Sequence, residues 1–250
     1  MEDEAAQMMA RSHALLSAAG WLAAAPLVAD ATHRPLDPPT LAASTVVCAG
    51  AALLPDMDHP EGLIATALGP FTRLLAKGVA KVSGGHRHAT HSLLFGGLMG
   101  MLSWALVSFG GRRAMLALAM LCAAFALRAV RLTELGSSER LHWPQVALVA
   151  TAITWTEARF IPGVWLWLPV AVTAGCWLHL VADLLTPEGV PPLWPWRARA
   201  ALPILDHTDS WGETYLVVPG LGVAILGLVW VHFSAARAAA VGWLVGLFPS

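Results

Sequence analysis

The stretch GHRHATHS sets His86, Arg87, His88, Thr90 and His91 within a few residues of one another, just ahead of an apolar run. LLPDMDHP adds Asp56, Asp58 and His59, and CWLHLVADLL places His179 and Asp183 four apart. His13 precedes all of these and Glu213 follows them. Imidazole and carboxylate together make a mixed nitrogen and oxygen ligand set, which suits zinc, manganese or iron better than calcium. The i, i+4 spacing of His179 and Asp183 puts both on one helical face, where two side chains can grip one cation. Asp56 and Asp58, two apart in a turn read as extended between Pro55 and Pro60, are expected to point the same way. His86 and His91 lie five apart, so a regular helix would separate them, and a bend or helix start is expected between them. Thr90 is expected to cap that helix.

The elements that carry these residues are apolar. Of 250 residues 57% are hydrophobic and 12% charged, against roughly 45–50% and about 25% in ordinary soluble domains. Apolar runs recur at 15–28, 41–54, 92–109, 114–130, 143–156, 164–185 and 215–233, several of them near the ~20 residues that cross a bilayer. The expected fold is therefore all-α, a polytopic transmembrane bundle of about seven helices (six to eight), with an eighth possible at 238–248. The whole chain, 1–250, reads as one integral membrane domain, with 55–89 and 186–214 as interfacial loops that form the site. Within the first loop PFTRLLAKGVAKV spaces Arg73, Lys77 and Lys81 four apart, opposite Leu74, Leu75 and Val79, as in a short helix lying in the headgroup layer. The leading MEDEAAQ is acidic where a signal peptide is basic, so the first apolar run is expected to be a retained helix.

Trp21, Trp104, Trp143, Trp194, Trp196 and Trp211 fall near segment ends, as in an interfacial belt, whereas Trp155, Trp165, Trp167 and Trp177 read as core packing. Cys48, Cys122 and Cys176 lie inside apolar runs without metal-site spacing and read as packing residues. A net charge of −1 and the lack of a long basic stripe offer nothing for a nucleic-acid partner.

Alternating topology puts the start of an odd helix and the end of an even one on the same side. His13, Asp56, Asp58, His59, His86, His91, His179, Asp183 and Glu213 then gather in one layer. A lone helical histidine is usually a packing residue, but a cluster of ionisable groups at membrane depth implies function. That side also carries Arg11, Arg73, Lys77, Lys81, Arg87, Arg128, Arg131, Arg140, Arg197 and Arg199, ten of the fifteen basic residues. Lys and Arg near helix ends favour the cytoplasm, so the cluster is expected to face inward.

With His13 ahead and Glu213 behind, LLPDMDHP, GHRHATHS and HLVADLLTPEGVPPLWP resemble the YdjM-like family of predicted inner-membrane metal-dependent hydrolases. The resemblance covers most of the chain and implies an integral protein of the bacterial inner (plasma) membrane with a hydrolase activity. It places His13, Asp56, Asp58, His59, His86, His91, His179 and Asp183 at motif positions. His88 stands where the family usually has a small residue, and LPILDHTDSWGE departs from the usual approach to the glutamate.

One or two divalent ions, zinc foremost and manganese or iron as alternatives, could lower the pKa of a water towards ~7 and aim it at an electrophile. Asp58 or Glu213 would act as general base or fix a histidine tautomer, and Arg87 is placed to neutralise a phosphate or oxyanion. A membrane lipid or lipid-linked phosphoester or other ester is the substrate expected at this depth. Two other readings use the same residues. One is a cation-binding transporter or scaffold without hydrolysis, for which only Thr151, Thr154 and Thr173 extend polarity through the helices. The other is a metal-independent lipid phosphatase, suggested by SGGH and HxxxD, but the arginine-bearing motifs of that class are missing.

Overall fold

Apolar residues in lipid must satisfy their backbone internally, and this chain does so with helices. The computed structural model describes residues 2–59, 62–66, 70–130, 143–196, 198–204, 212–233 and 238. Among them are the helices α1 (Glu2–Thr32), α2 (Pro38–Ala51), α3 (Leu63–Thr66), α4 (Pro70–Ser83), α5 (Leu93–Phe109), α6 (Gly111–Val130), α7 (Trp143–Phe160), α8 (Val164–Leu184) and α9 (Val218–His232). Seven of these correspond to the seven apolar runs, and α4 is the short helix expected in the first loop. Five segments are long and apolar enough to cross a membrane, namely Met9–Thr32, Pro38–Asp58, Gly111–Val130, Val164–Leu184 and Tyr215–His232, and α5 is a shorter apolar helix. Apart from residue 238, the eighth apolar run at 238–248 lies outside the described residues, as do Trp211, Arg131, Arg140 and Arg197 and the side chains of Leu75, Trp143 and Glu213.

The centre of the bundle is α2. Its span is 72% buried, against 6% for the span ending in α9, and it packs on α1, α6 and α8. Its start is set by Asp37, whose carboxylate accepts the Thr40 N–H at 2.8 Å, with Pro38 in the first turn; both are standard helix-start devices. Helices in lipid gain little from burying apolar surface and associate through close contact of small residues. Gly50 lies directly against α6, so close that a Cβ there would sit 1.9 Å from the Cys122 carbonyl oxygen, and Gly175 of α8 lies similarly tight on the Cys48 carbonyl of α2. Around α2, α5 packs on α8, α7 on α6 and α9 on α1. The three cysteines are buried and unbridged.

The tryptophans divide differently from the sequence expectation. Trp21 is fully buried, meets Trp167 edge to face at 5.9 Å and donates its indole N–H to Ser44. Trp155 and Trp177, expected in the core, are exposed on the outer surface. The indole of Trp21 has an intramembrane hydroxyl to bond, which removes the reason for it to sit at the interface.

A helical Gly→Ala change ordinarily stabilises by about 1 kcal/mol. Gly50→Ala is expected to do the reverse, because the added methyl must push α6 away from α2. A lower thermal midpoint of the detergent-solubilised variant checks this; an unchanged or higher midpoint contradicts the close packing.

Candidate metal centre

Four chain segments end at one layer: the early turns of α1, the exit of α2, the entry to α5 and the last turns of α8. The chain leaving α2 tightens into a 3-10 turn, Leu54–Asp58, with Pro55 near its start. Three residues per turn send side chains two apart in different directions. Asp56 and Asp58 therefore do not point the same way, as an extended turn would have them do. Asp56 faces His91 and His179, while Asp58 faces His86 and Thr90. Between His86 and His91 the chain makes the expected break, a 3-10 turn at Ala89–His91 followed by α5. Ser92 caps α5 by accepting the Phe95 N–H, which leaves the Thr90 hydroxyl for the site.

At the core of the cluster, four atoms from three of these segments face one another. His91 Nε2 lies 3.3 Å from Asp56 Oδ1 and 3.4 Å from Asp183 Oδ2. His179 Nε2 lies 3.6 Å and 3.2 Å from the same two oxygens. Asp56 is 18% exposed and the other three side chains are buried. Among the described residues, His91 Nε2, both nitrogens of His179 and Asp183 Oδ2 are buried with no hydrogen-bond partner. Each such orphan costs about 1–3 kcal/mol.

The tautomer of His91 sharpens the point. Thr90 Oγ1 donates its one proton to Asp58 Oδ2, so towards His91 Nδ1, 3.0 Å away, it can only accept. His91 then carries a proton on Nδ1 and turns Nε2 to two carboxylates. Two buried carboxylates this close need positive charge among them, which a cation or a proton on Nε2 supplies. Donors on a tetrahedral ion with bonds of about 2.0–2.1 Å lie about 3.3–3.4 Å apart; the four nitrogen–oxygen separations bracket that value, and Asp56, His91 and His179 form one group able to hold an ion. The residues fit a divalent cation.

A second layer holds these donors. Arg87 is buried and donates to Asp183 Oδ1 at 2.8 Å, to Thr186 at 3.1 Å and to Glu188. Its guanidinium is thereby committed to bracing a ligand rather than turned outward to an anion. Its backbone sits in the left-handed region at φ 57°, and Arg199 holds it there by donating to the Arg87 carbonyl at 3.0 Å. His13 stacks on His179 with ring centroids 4.1 Å apart and lies 3.3 Å from Asp183 Oδ1. Its Nδ1 faces the Met9 carbonyl at 2.6 Å. His13, His179 and Asp183 form one possible ligand group, and Asp58, His86 and His91 another.

Nearer the surface, His86 Nδ1 donates to Asp58 Oδ1 at 3.0 Å, with its side chain 32% exposed. Burial alone would depress the His86 pKa, but the Asp58 hydrogen bond and the charges of Asp56 and Asp58 outweigh it and hold the imidazole above its ordinary 6.5. His59 meets His86 edge to face at 4.8 Å. Asp56 and His59 also line a small cavity of about 20 Å³, room for one water. His88 stands apart, its Nδ1 donating to the His86 carbonyl at 2.9 Å. Glu213 begins the π-helical turn before α9. The supporting roles of Thr186, Glu188 and Arg199 have no spacing of their own to announce them; the TPEG that follows the HxxxD pair is the one local signal.

Comparison with known proteins places this architecture. The family profile described as "YdjM inner membrane protein" matches residues 8–132 and 141–248. Two curated proteins called "Inner membrane protein YdjM", from Escherichia coli (strain K12) and Shigella flexneri, are each 29% identical over 192 residues, covering 76% of this chain and 67% of theirs. No solved structure matches the chain.

His179→Ala and Asp183→Ala are expected to lose bound divalent metal, measured by elemental analysis of detergent-purified protein, while membrane insertion is unchanged. His88→Ala is expected to keep it. Full metal occupancy in His179→Ala would refute the assignment.

Proposed function

The chain belongs to the YdjM family of inner membrane proteins, and from that premise we propose that it is a metal-dependent hydrolase of ester or phosphoester bonds in membrane lipids or lipid-linked molecules. One observation carries the reading: four donor atoms, three of them buried without any hydrogen-bond partner, converge beside a water-sized cavity. Asp56, His91, His179 and Asp183 would hold the cation, zinc by preference for an N₂O₂ set, with manganese or iron(II) as alternatives. When bound there, the ion supplies Lewis acidity, which acidifies water and polarises a carbonyl or phosphoryl oxygen.

The remaining residues divide the other work. Asp58 fixes the His86 tautomer by accepting from Nδ1, which leaves Nε2 as the atom that takes a proton from water and returns it to the leaving group. Thr90 holds His91 with its lone pair inward. Arg87 and His13 steady Asp183, the kind of outer contact whose loss typically weakens metal sites 10–100-fold. A transporter would need polar groups continuing from the cluster; the hydroxyls of Thr151 and Thr173 are spent on carbonyls of their own helices, and the buried Thr154 and Glu157 lie on α7, which carries no residue of the cluster.

His86→Gln is expected to lower hydrolysis of bis(p-nitrophenyl) phosphate or p-nitrophenyl esters by about 10²–10⁴-fold with metal content unchanged. Equal loss of metal and activity would instead make His86 a ligand. No turnover of any such substrate by metal-loaded wild type would refute the hydrolase reading.

The site side is proposed to be cytoplasmic, from the excess of Lys and Arg there. Ala198→Cys, on the site side, and Ala31→Cys, at the far end of α1, are both at exposed positions, and the native cysteines are buried. A membrane-impermeant thiol reagent added to spheroplasts is expected to label Ala31→Cys alone; labelling of Ala198→Cys reverses the orientation.

A further inference from the structure

A groove of about 700 Å³ runs between α4, the start of α5 and the loop that follows α8, within the range of pockets that enclose small ligands. Leu74, Gly78 and Val82 of α4 form one wall, Phe95 and Trp194 the others, and Thr90 lies at its inner end. We propose that this groove is the acyl-chain subsite of the metal centre, taking one hydrocarbon chain of an anionic membrane lipid with the lipid's polar end at Thr90. The assignment rests on the hydrolase reading for its role in turnover, but the groove's occupancy can be tested without it.

Three observations select this occupant. The first is continuity: the Thr90 hydroxyl bonds Asp58 and His91, so a chain lying in the groove ends against the residues that hold and orient the donors. Size alone does not select it. A larger groove of about 820 Å³, bordered by Trp21, Trp104 and Trp177, reaches none of the site residues.

The second is the way α4 is turned. Ala76 and Ser83 face the protein, whereas Leu74 is 72% exposed and Val82 88% exposed. Both apolar side chains stand open along the groove instead of packing against the bundle. In a bilayer both side chains meet lipid, and their place on the groove wall sets that lipid beside Thr90.

The third is charge. Arg73, Lys77 and Lys81 are all exposed and lie one residue before Leu74, Gly78 and Val82, so a basic row runs alongside the apolar one. Such a row attracts anionic headgroups by about 1 kcal/mol per residue. The row enriches anionic lipid at the groove mouth, from which a chain can enter.

Gly78 offers a clean intervention, because it lines the groove and nothing lies within 4 Å of the position a Cβ would occupy; Gly78→Trp directs an indole into that space. The experiment uses the full chain in nanodiscs containing phosphatidylglycerol with a photoactivatable diazirine in its acyl chain, with labelled peptides read by mass spectrometry. Wild type is expected to label at Phe95 and Trp194. Gly78→Trp is expected to lose that labelling at least about fivefold, with bound metal and labelling near Trp104 unchanged. Val82→Trp serves as a second plug should Gly78→Trp not purify. Unchanged labelling at Phe95 in a plugged variant, or equal labelling by the phosphatidylcholine analogue, overturns the proposal. In turnover assays the plug is expected to slow a long-chain lipid ester at least about tenfold while sparing a short p-nitrophenyl ester. Equal slowing of both overturns the subsite. Absence of turnover in wild type strikes the hydrolase reading, and the labelling result alone then decides whether the groove holds lipid.

Discussion

Two imidazole nitrogens and two carboxylate oxygens face one another across 3.2–3.6 Å where little water can reach them. Without positive charge among them the lone pairs repel, and burial magnifies the repulsion. The rest of the molecule is arranged to withstand that. α2, the most enclosed of the spanning helices, delivers Asp56, and α8, pressed on α2 at Gly175, delivers His179 and Asp183. Close helix contact without side chains in between fixes their relative height, which long apolar side chains in a lipid-facing bundle would not do.

Rigid helices alone do not orient the donors; hydrogen bonds do. Asp183 presents one oxygen to Arg87 and His13 and is left with the other facing inward. His91 is fixed through Thr90, and Thr90 through Asp58. The same Asp58 accepts from His86 at the surface, so one carboxylate couples a partly exposed imidazole to a fully buried one. That coupling divides labour between two aspartates only two residues apart, and the 3-10 turn makes the division possible.

How far the sequence reveals this depends on the kind of feature. The seven apolar runs, the His179–Asp183 pair and the break between His86 and His91 all follow from local patterns, which a single chain displays openly, whereas the separateness of His88 follows from the family resemblance. The convergence of segments follows from alternation, a topological rule. Features decided by tertiary partners are not legible. Two prolines around Asp56 and Asp58 suggest an extended turn with parallel side chains, whereas the packed chain tightens into 3-10 geometry. Thr90 and Ser92 are equally good caps by type, and only Asp58, a distant neighbour, decides which hydroxyl is needed elsewhere. Arg87 reads from sequence as a cation for a phosphate or oxyanion, and the acids that engage it, Asp183 and Glu188, lie about a hundred positions further along. Trp21 follows its partner Ser44 into the core rather than its position near a segment end.

The bond from Arg199 to the Arg87 carbonyl has a bearing on how the protein is made. Helices enter the bilayer in chain order, so Asp56 and His91 arrive early, without the histidine and aspartate of α8. The brace on Arg87 closes only after the Trp-rich loop beyond α8 has emerged from the ribosome. A nascent chain therefore passes most of its synthesis with an incomplete donor set. Were a cation held among these donors, its site would be complete only once α8 is in place.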